Sequence, residues 1–406
     1  MRYERFIAHK FLNRKEKNFT LPLINIATTT IALGVLVMVM SLCILRGFQS
    51  TISDKVVGFG SHIVVKSYGW VNDYDDMPVE LSDNEIATLR GIKDVDNVQR
   101  FAHKGGMIKT SDQIQGIIFK GIDTGYDTTF FHNNMVYGRM PNIKDTLMTN
   151  EVVVSQRLSS RMGIDTGQKI RTYFWAGDTY RARAFTVVGV YNTDMNEFDD
   201  HFIVGDIRHA QRINGWNNNQ STGVEILTND IDLLPGVVEQ VRKSTRPDLL
   251  VTTIVDEQPA LFAWLNLLNS NIILILVIMS VVCATSVVSA LLIMIFERTS
   301  MIGILKMMGS TNKSIRKIFT IKASSIILKG ILIGDAIALI LCLVQDKTHL
   351  IRLDSESYSM PFVPVEMSAW YFAIISAVTF AICMLALLIP ATYISHIQPA
   401  KSIRKE

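Results

Sequence analysis

Cysteine is scarce in this sequence. The 406 residues include four cysteines, and none lies between Gly47 and Leu268. That stretch therefore cannot form a disulfide framework or a cysteine-based zinc site. All four lie within or at the edge of apolar runs, where we expect small packing residues: Cys43, Cys283, Cys342 and Cys383.

Catalytic motifs are also missing. There is no G-x-x-x-x-G-K-S/T, since "GSTNKS" at Gly309 lacks the second glycine, and neither H-E-x-x-H nor G-x-S-x-G occurs. "DMNEFDDHF" (Asp194 to Phe202) could bind a divalent cation, but a solvated acidic loop is expected. The net charge of +3 gives no nucleic-acid footprint. We predict no catalytic residue, no metal site and no cofactor bound by this chain.

Long apolar runs are the abundant feature, because 49% of the residues are hydrophobic. Each run is long enough to cross about 30 Å of hydrocarbon as a helix. A further run carries three charges, Lys322, Lys329 and Asp335, and is supported by topology. The four predicted spans are 23–45, 271–296, 319–345 and 369–394.

Lys and Arg concentrate in three segments, residues 1–22, 297–318 and 395–406. Four spans place all three segments in the cytoplasm, as the positive-inside rule requires. Residues 46–270 and the loop 346–368 then lie outside. The first span is too long for the apolar part of a cleaved signal, so it is expected to remain as an anchor.

The outer segment is predicted to be mixed α/β. Strand, helix and strand follow one another near its start and again near its end. The first of these helices opens with a capping box, Ser82-x-x-Glu85. Turns are expected at Gly105-Gly106 and at Ser111-Asp112. The middle is β-rich and contains a hairpin, 170–191, that turns at Gly177-Asp178.

Aromatic and basic residues meet near the tip of this hairpin. Tyr173, Phe174 and Trp175 precede the turn, and Arg181 and Arg183 follow it. Exposed aromatics beside arginines are typical of a contact hot spot for a partner. The alternative is that every second side chain faces the core.

Apolar residues continue at helical spacing outside two of the spans. Phe48, Ile52 and Val56 follow the first span, and a helix that begins at Pro259 precedes the second. Both spans are therefore expected to extend outward as stalks.

The segment 297–318 contains a short amphipathic helix. Met301, Ile304, Leu305 and Met308 lie at i, i+3, i+4 and i+7. Thr299 or Ser300 could cap its start, and Gly309 could end it. A helix this short needs a surface to lie on, either the bilayer or a partner's groove. The absence of aromatic anchors favours the groove.

The order of these features resembles the FtsX-type ABC permeases, and more narrowly the lipoprotein-releasing LolC/LolE family. "ERTSMIGILKMMGST" is similar to the family's E-K/R-x-x-x-I-G/A-I/V-L-R/K-x-M/L-G pattern after span two. "FIAHKFLNRKEKN", "DEQPALFAWLNLLNSN" and "LIPATYISHIQPAKSIR" resemble its opening, stalk and ending. The resemblance covers essentially the whole chain.

The resemblance implies a fold and a set of partners. The fold is four transmembrane helices with a large periplasmic α/β domain, of porter plus sabre type, between helices 1 and 2. Porter halves would span about 61–125 and 221–257, and the sabre-like middle about 147–215. Implied partners are a second permease copy or paralogue, a LolD-like ATPase dimer that binds ATP and Mg, an acylated lipoprotein and a LolA-like periplasmic chaperone. The location implied is the bacterial inner membrane, with both termini cytoplasmic.

Site residues follow from the same resemblance. Segment 297–318 would be the coupling helix, with its ATPase contacts at Arg298, Met301, Ile304, Leu305, Lys306 and Met308. The lipoprotein's acyl chains would lie between spans one and two, for which the candidates are Met40, Leu45, Phe48, Leu268, Ile272 and Ile275. The hairpin "YFWAGDTYRAR" departs from the family's chaperone-binding hook, since it is short and lacks proline.

Asp335 is expected to face protein or the cavity, because an isolated charge within the membrane costs roughly 2.5 to 3.5 kcal/mol. Lys329 is a poor partner for it within one helix, six residues away.

Two other functions remain open from the sequence. One is a MacB-type mechanotransmission permease that moves periplasmic cargo. The other is an FtsX-like permease that regulates a hydrolase and transports nothing. The first family carries its ATPase in the same chain, and the second usually has a smaller outer domain.

Overall fold

The computed structural model describes residues 20–68, 77–110, 113–144, 146–176, 179–228, 233–354, 358–390 and 392. They form two compact units. The helical unit draws on the described residues within Met1–Gln49, Trp264–Arg352 and Val363–Glu406, and the α/β unit on those within Ser50–Ala263 and Leu353–Phe362. The α/β unit thus includes described residues of the predicted loop 346–368.

The described elements follow in chain order: α1 Thr20–Gly60, β1 Ile63–Ser67, β2 Val79–Glu80, α2 Asp83–Arg90, β3 Val95–Lys109, β4 Ile114–Ile122, α3 Thr129–Asn133, β5 Met135–Gly138, β6 Glu151–Ser155, α4 Gln156–Met162, β7 Lys169–Ala176, β8 Thr179–Tyr191, α5 Asn196–Asp199, β9 Phe202–Asp206, α6 Ile207–Asn214, β10 Gln220–Ser221, β11 Gly223–Thr228, α7 Leu234–Ser244, β12 Leu249–Thr253, α8 Ile254–Glu257, α9 Pro259–Glu297, α10 Thr299–Met307, α11 Asn312–Thr348 and α12 Ala369–Ala386.

Four of the described helices, α1, α9, α11 and α12, are long and apolar enough to cross a membrane by length and composition. α1, α9 and α11 contain the predicted runs 23–45, 271–296 and 319–345. α12 begins with the fourth predicted run, 369–394, and ends at Ala386; residues 391, 393 and 394 of that run lie outside the described residues. α1 continues to Gly60, and α9 begins at Pro259, as predicted for the two stalks.

The helical unit has one buried apolar cluster, to which α1, α9, α10, α11 and α12 all contribute. Two glycines of α11 allow a close approach to α1. A Cβ at Gly334 would lie 2.6 Å from the carbonyl oxygen of Ala32, and one at Gly330 would lie 2.8 Å from Ile31 Cβ. All four cysteines are buried, as expected.

The α/β unit is organised by a ten-stranded sheet in the order β12-β1-β11-β3-β4-β9-β6-β8-β5, with β7 paired to β3 and β8. The described residues of this unit form three buried apolar clusters. One joins residues of the regions 63–98 and 224–251, and a second joins residues of 102–119 and 152–213. The third joins residues of 59–131 with Val153, Tyr191 and Val204.

The prediction of a turn at Gly105-Gly106 is wrong. β3 runs through both glycines from Val95 to Lys109. A Cβ at Gly106 would lie 2.7 Å from Phe174 Cδ1 and 2.8 Å from Tyr173 O, so this glycine makes room for β7. Glycine within a strand can mark a close backbone approach as well as a turn.

Local signals elsewhere in the unit are confirmed. Ser82 and Glu85 form the capping box at the start of α2. β7 and β8 form the predicted hairpin, with Ala176 paired to Thr179. The turn residues Gly177 and Asp178, like Ser111 and Asp112, lie outside the described residues.

Candidate functional site

The short helix α10 occupies the position predicted for the coupling helix. Its start differs from the expectation, because neither Thr299 nor Ser300 is the capping residue. Thr299 lies inside the helix, and its Oγ1 donates to Phe296 O at 2.7 Å. Its end agrees, since Gly309 has a φ of +88°, in the left-handed region that glycine adopts without strain.

The four apolar residues predicted to share one face of α10, Met301, Ile304, Leu305 and Met308, do not form one exposed face. Leu305 is 8% exposed and Ile302 is fully buried, and both belong to the core of the helical unit. Met301 packs against the same core. Ile304 and Met308 are exposed, at 47% and 73%. The reason is that α10 packs into the core of the helical unit through Ile302 and Leu305, a core to which α11 also contributes.

Met307 also belongs to the exposed face of α10, although the sequence pattern did not predict it there. It is 60% exposed and lies at i+3 from Ile304, beside Met308. Ile304, Met307 and Met308 define what we call the coupling face. Arg298 and Lys306 are half-buried, and partial burial lowers the pKa of the Lys306 ammonium.

The hairpin residues divide between the two faces of β7 and β8. Phe174 is fully buried in the core and is not part of a contact surface. Tyr173 is half-buried and Trp175 is 55% exposed. Trp175 makes an edge-on contact with Tyr180, with 4.5 Å between ring centroids. Tyr180, which the sequence reasoning did not single out, thus completes an exposed aromatic pair.

Strand register separates the arginines from this pair. Arg181 lies opposite Phe174 and Arg183 opposite Thr172, whereas Tyr180 lies opposite Trp175. Since side chains alternate along a strand, both arginines belong to the face of Phe174. Arg181 Nη1 donates to Arg212 O at 3.1 Å.

The residues proposed for the acyl-chain cavity have mixed surroundings within the helical unit. Met40 packs toward α11, with 3.3 Å between its Sδ and Cys342 Sγ, and Leu45 is buried. Phe48, Leu268 and Ile272 are half-buried, and Ile275 is 36% exposed. Their role in binding acyl chains stays a prediction.

Asp335 of α11 contacts α12. Ser376 Oγ donates to Asp335 Oδ2 at 2.6 Å. Oδ1 is buried and has no hydrogen-bond partner among the described residues. Asp335 thus meets protein through one oxygen, and the other is available to a further donor.

The acidic segment 194–200 is not the solvated loop that we expected. Asp199 is 2% exposed and accepts hydrogen bonds from Thr193 N and Oγ1. Asp194 pairs with Lys55 at 3.4 Å, and Asp200 lies between Arg157 and Arg161. Burial raises the pKa of the Asp199 carboxyl to about 6. Nowhere in the described residues do three or more His, Cys, Asp or Glu side chains form a group that could hold a metal ion.

Four long apolar helices with a large sheet-rich unit define the class: a membrane protein with an extramembrane α/β domain. A model of the MacB-like periplasmic core domain matches residues 26–244, and one of the FtsX-like permease C-terminal region matches 273–399. The first covers more than half of the chain, which therefore belongs to the MacB-like periplasmic core family and carries an FtsX-like permease region.

Relatives match over nearly the whole chain. The lipoprotein-releasing system transmembrane protein LolC of Xylella fastidiosa (strain Temecula1) is 22% identical over 98% of this chain and 98% of its own. LolC of Neisseria meningitidis serogroup B is 22% identical over 99% of both chains. LolE of Haemophilus influenzae is 20% identical over 98% of both. The resemblance drawn from the sequence motifs is thereby confirmed.

A solved structure also matches part of the chain. The periplasmic region of MacB from Actinobacillus actinomycetemcomitans aligns with a TM-score of 0.35 and 11% identity. The alignment covers 51% of this chain and 95% of that one.

Proposed function

We propose that this chain is the permease subunit of an ABC transporter that extracts acylated lipoproteins from the outer leaflet of the inner membrane. The observation that carries the proposal is the match of LolC and LolE relatives along the entire chain, across both units. The FtsX-like permease region and the MacB-like core domain agree with it.

The proposed topology has four spans, α1, α9, α11 and α12, with both termini in the cytoplasm. The α/β unit lies in the periplasm between the first two spans. Supporting this orientation are the basic residues of segments 1–22, 297–318 and 395–406. The described residues of the loop segment Leu353–Phe362 belong to the α/β unit, as a second outer segment should.

ATP hydrolysis is assigned to a separate LolD-like ATPase dimer, which binds ATP and Mg. Its groove would receive the coupling face, Ile304, Met307 and Met308, because exposed apolar residues at this spacing suit helix-in-groove binding. Arg298 and Lys306 would contact the rim of the groove. Leu305 would hold α10 in place from its buried side.

The remaining partners belong to the outer side. Acyl chains would enter between α1 and α9, beside the six cavity candidates. A second permease copy or a paralogue would complete the transporter. Trp175 and Tyr180 at the hairpin would contact a periplasmic partner such as a LolA-like chaperone, since exposed paired aromatics are frequent contact anchors.

Co-purification tests the proposed substrate. The permease would be purified with its ATPase in lipid nanodiscs, and bound proteins would be identified by mass spectrometry before and after ATP addition. An acylated lipoprotein that is bound without ATP and lost with ATP is the expected result. A bound cell-wall hydrolase, or an unacylated cargo protein, would contradict it and favour one of the two other functions.

A further inference from the structure

A buried ion pair lies within the α/β unit at the end of α1. Lys120 of β4 and Glu225 of β11 are 1% and 2% exposed, and Lys120 Nζ lies 2.6 Å from Glu225 Oε1. The two residues are 105 positions apart in the sequence, and nothing in their local sequence pattern singles them out.

Lys120 also donates a hydrogen bond to the last turn of α1. Its Nζ donates to the carbonyl oxygen of Phe59, one residue before the helix ends at Gly60. The last carbonyls of a helix have no partner within the helix, and a buried one needs a donor from elsewhere. The ammonium lies near the rings of Phe59, Phe101 and Tyr126, with 5.3 to 5.7 Å to the centroids.

The carboxylate of Glu225 accepts hydrogen bonds from two further residues. Tyr126 Oη donates to its Oε2 at 2.7 Å, and Gln99 Nε2 donates to the same oxygen at 3.1 Å. Burial and the neighbouring Glu225 raise the pKa of Tyr126, which therefore keeps its proton and remains a donor. Gln99 of β3 lies directly opposite Glu225 in the sheet. The network thus connects the helix end to three adjacent strands, β11, β3 and β4.

The joint between α1 and the sheet is short and closely packed. Only two residues separate Gly60 from β1, and the first, Ser61, turns the chain with a φ of +66°. The Phe59 ring stacks on Phe198 at 4.5 Å and meets Phe202 at 4.9 Å. A displacement of the last turn of α1 would therefore move these strands with it.

Stability alone does not explain why a charged pair is buried at this joint. Well-packed apolar residues in place of a buried ion pair are often as stable or more stable, because both charges must lose their water. A fully satisfied polar network, in contrast, permits one geometry and resists sliding.

We propose that Lys120 and Glu225 are positioning residues that fix the end of α1 to the central strands, so that helix movement driven by ATP reaches the outer domain. The inference rests on the proposed function as an ATP-driven permease, but it does not depend on the cargo.

The test measures movement within one chain by electron spin resonance. Spin labels are placed at Glu239→Cys and Trp370→Cys, both exposed, after the four native cysteines are replaced by alanine. The distance distribution is recorded for the complete complex in nanodiscs, with and without ATP and vanadate. The test variant is Lys120→Met with Glu225→Leu, and Val154→Ala, buried away from the joint, controls for destabilisation.

The proposal expects a nucleotide-dependent shift in the wild type and in Val154→Ala, and loss of that shift in the double variant at a melting temperature no lower than that of Val154→Ala. If the double variant does not assemble, Glu225→Gln replaces it with the same expectation. A full shift in the variant, or no shift in the wild type, would overturn the proposal. A wild-type complex that shifts but releases no lipoprotein would overturn only the proposed substrate.

Discussion

Leu305 and Met307 lie two positions apart on α10 and have opposite surroundings. Leu305 is 8% exposed and belongs to the buried core of the helical unit, whereas Met307 is 60% exposed. Leu305→Glu would bury an unpaired charge, and we expect a loss on the order of 3 kcal/mol in the free energy of unfolding. The melting temperature of the purified permease measures this loss, with Leu305→Met as the control of similar volume.

Met307→Glu tests the coupling face without disturbing that core. We expect the variant to fold and insert normally, but to stimulate its ATPase poorly, because a charge replaces an apolar contact in the groove. Normal ATPase coupling and release in Met307→Glu, at normal melting temperature, would mean that this face lies on lipid instead.

Asp335 has one oxygen bonded to Ser376 and one buried without a partner. Such residues in a span are commonly functional, because retaining them costs stability. We expect Asp335→Ala to impair release or assembly and Asp335→Asn to preserve more of both, since asparagine can still accept from Ser376. Wild-type release and ATPase coupling in Asp335→Ala would remove any role for this carboxyl group.

Asp199 should make the protein less stable as pH rises. Its folded pKa, about 6, lies above the usual value of 3.8, because the buried carboxyl resists ionisation. The folded state therefore binds more protons than the unfolded state between these values, and stability falls as pH increases from about 4 to 6. The full effect is about 3 kcal/mol.

Asp199→Asn removes this titration. Melting temperatures of the two proteins at pH 5 and pH 7 would show the variant gaining relative to the wild type at the higher pH. A constant difference between the two proteins would show that Asp199 does not titrate in this range.

At the scale of elements, close packing of α11 on α1 depends on glycine. A Cβ at Gly334 would meet the backbone of Ala32 at 2.6 Å, which no side-chain movement can relieve. We expect Gly334→Ala to lower the free energy of unfolding by about 1 to 3 kcal/mol. Gly236 of α7 is the matched control, because no atom lies within 4 Å of a Cβ there. Gly236→Ala should stabilise by about 0.5 to 1 kcal/mol. Equal melting temperatures for the two alanine variants would contradict this account of the packing.

The elements that sequence reasoning predicted well are those with local signals. Long apolar runs, the Ser82-Glu85 capping box and the start of α9 at Pro259 all depend on residues close together in the chain. The failures depend on distant partners. A continuous strand replaces the turn expected at Gly105-Gly106 because β7 packs there. Leu305 is buried because α10 packs into the core of the helical unit, which helical spacing alone does not predict.

The candidate site shows the same limit. Phe174 and Trp175 are adjacent in sequence, but only the pairing of β7 with β8 shows that Trp175 is exposed beside Tyr180. The ion pair of Lys120 and Glu225 joins strands far apart in the chain, and no local pattern around either residue predicts it.

At the scale of the whole molecule, the proposed sites for energy input and for cargo lie at different places in the chain. The coupling face is the proposed input from the ATPase, and we propose that the joint at Phe59 passes movement of α1 to the central strands. In the proposed arrangement this chain transmits movement, and ATP hydrolysis is assigned to the partner ATPase.

Release of an acylated lipoprotein from proteoliposomes is the most direct test of this account. The complete transporter would be reconstituted with a lipoprotein and, in parallel, with the same protein anchored by a transmembrane helix. ATP and a soluble periplasmic acceptor would then be added, and the released protein measured. We predict ATP-dependent release of the acylated form alone, lost in Met307→Glu. Equal release of both forms, or release that does not depend on ATP, would contradict the account.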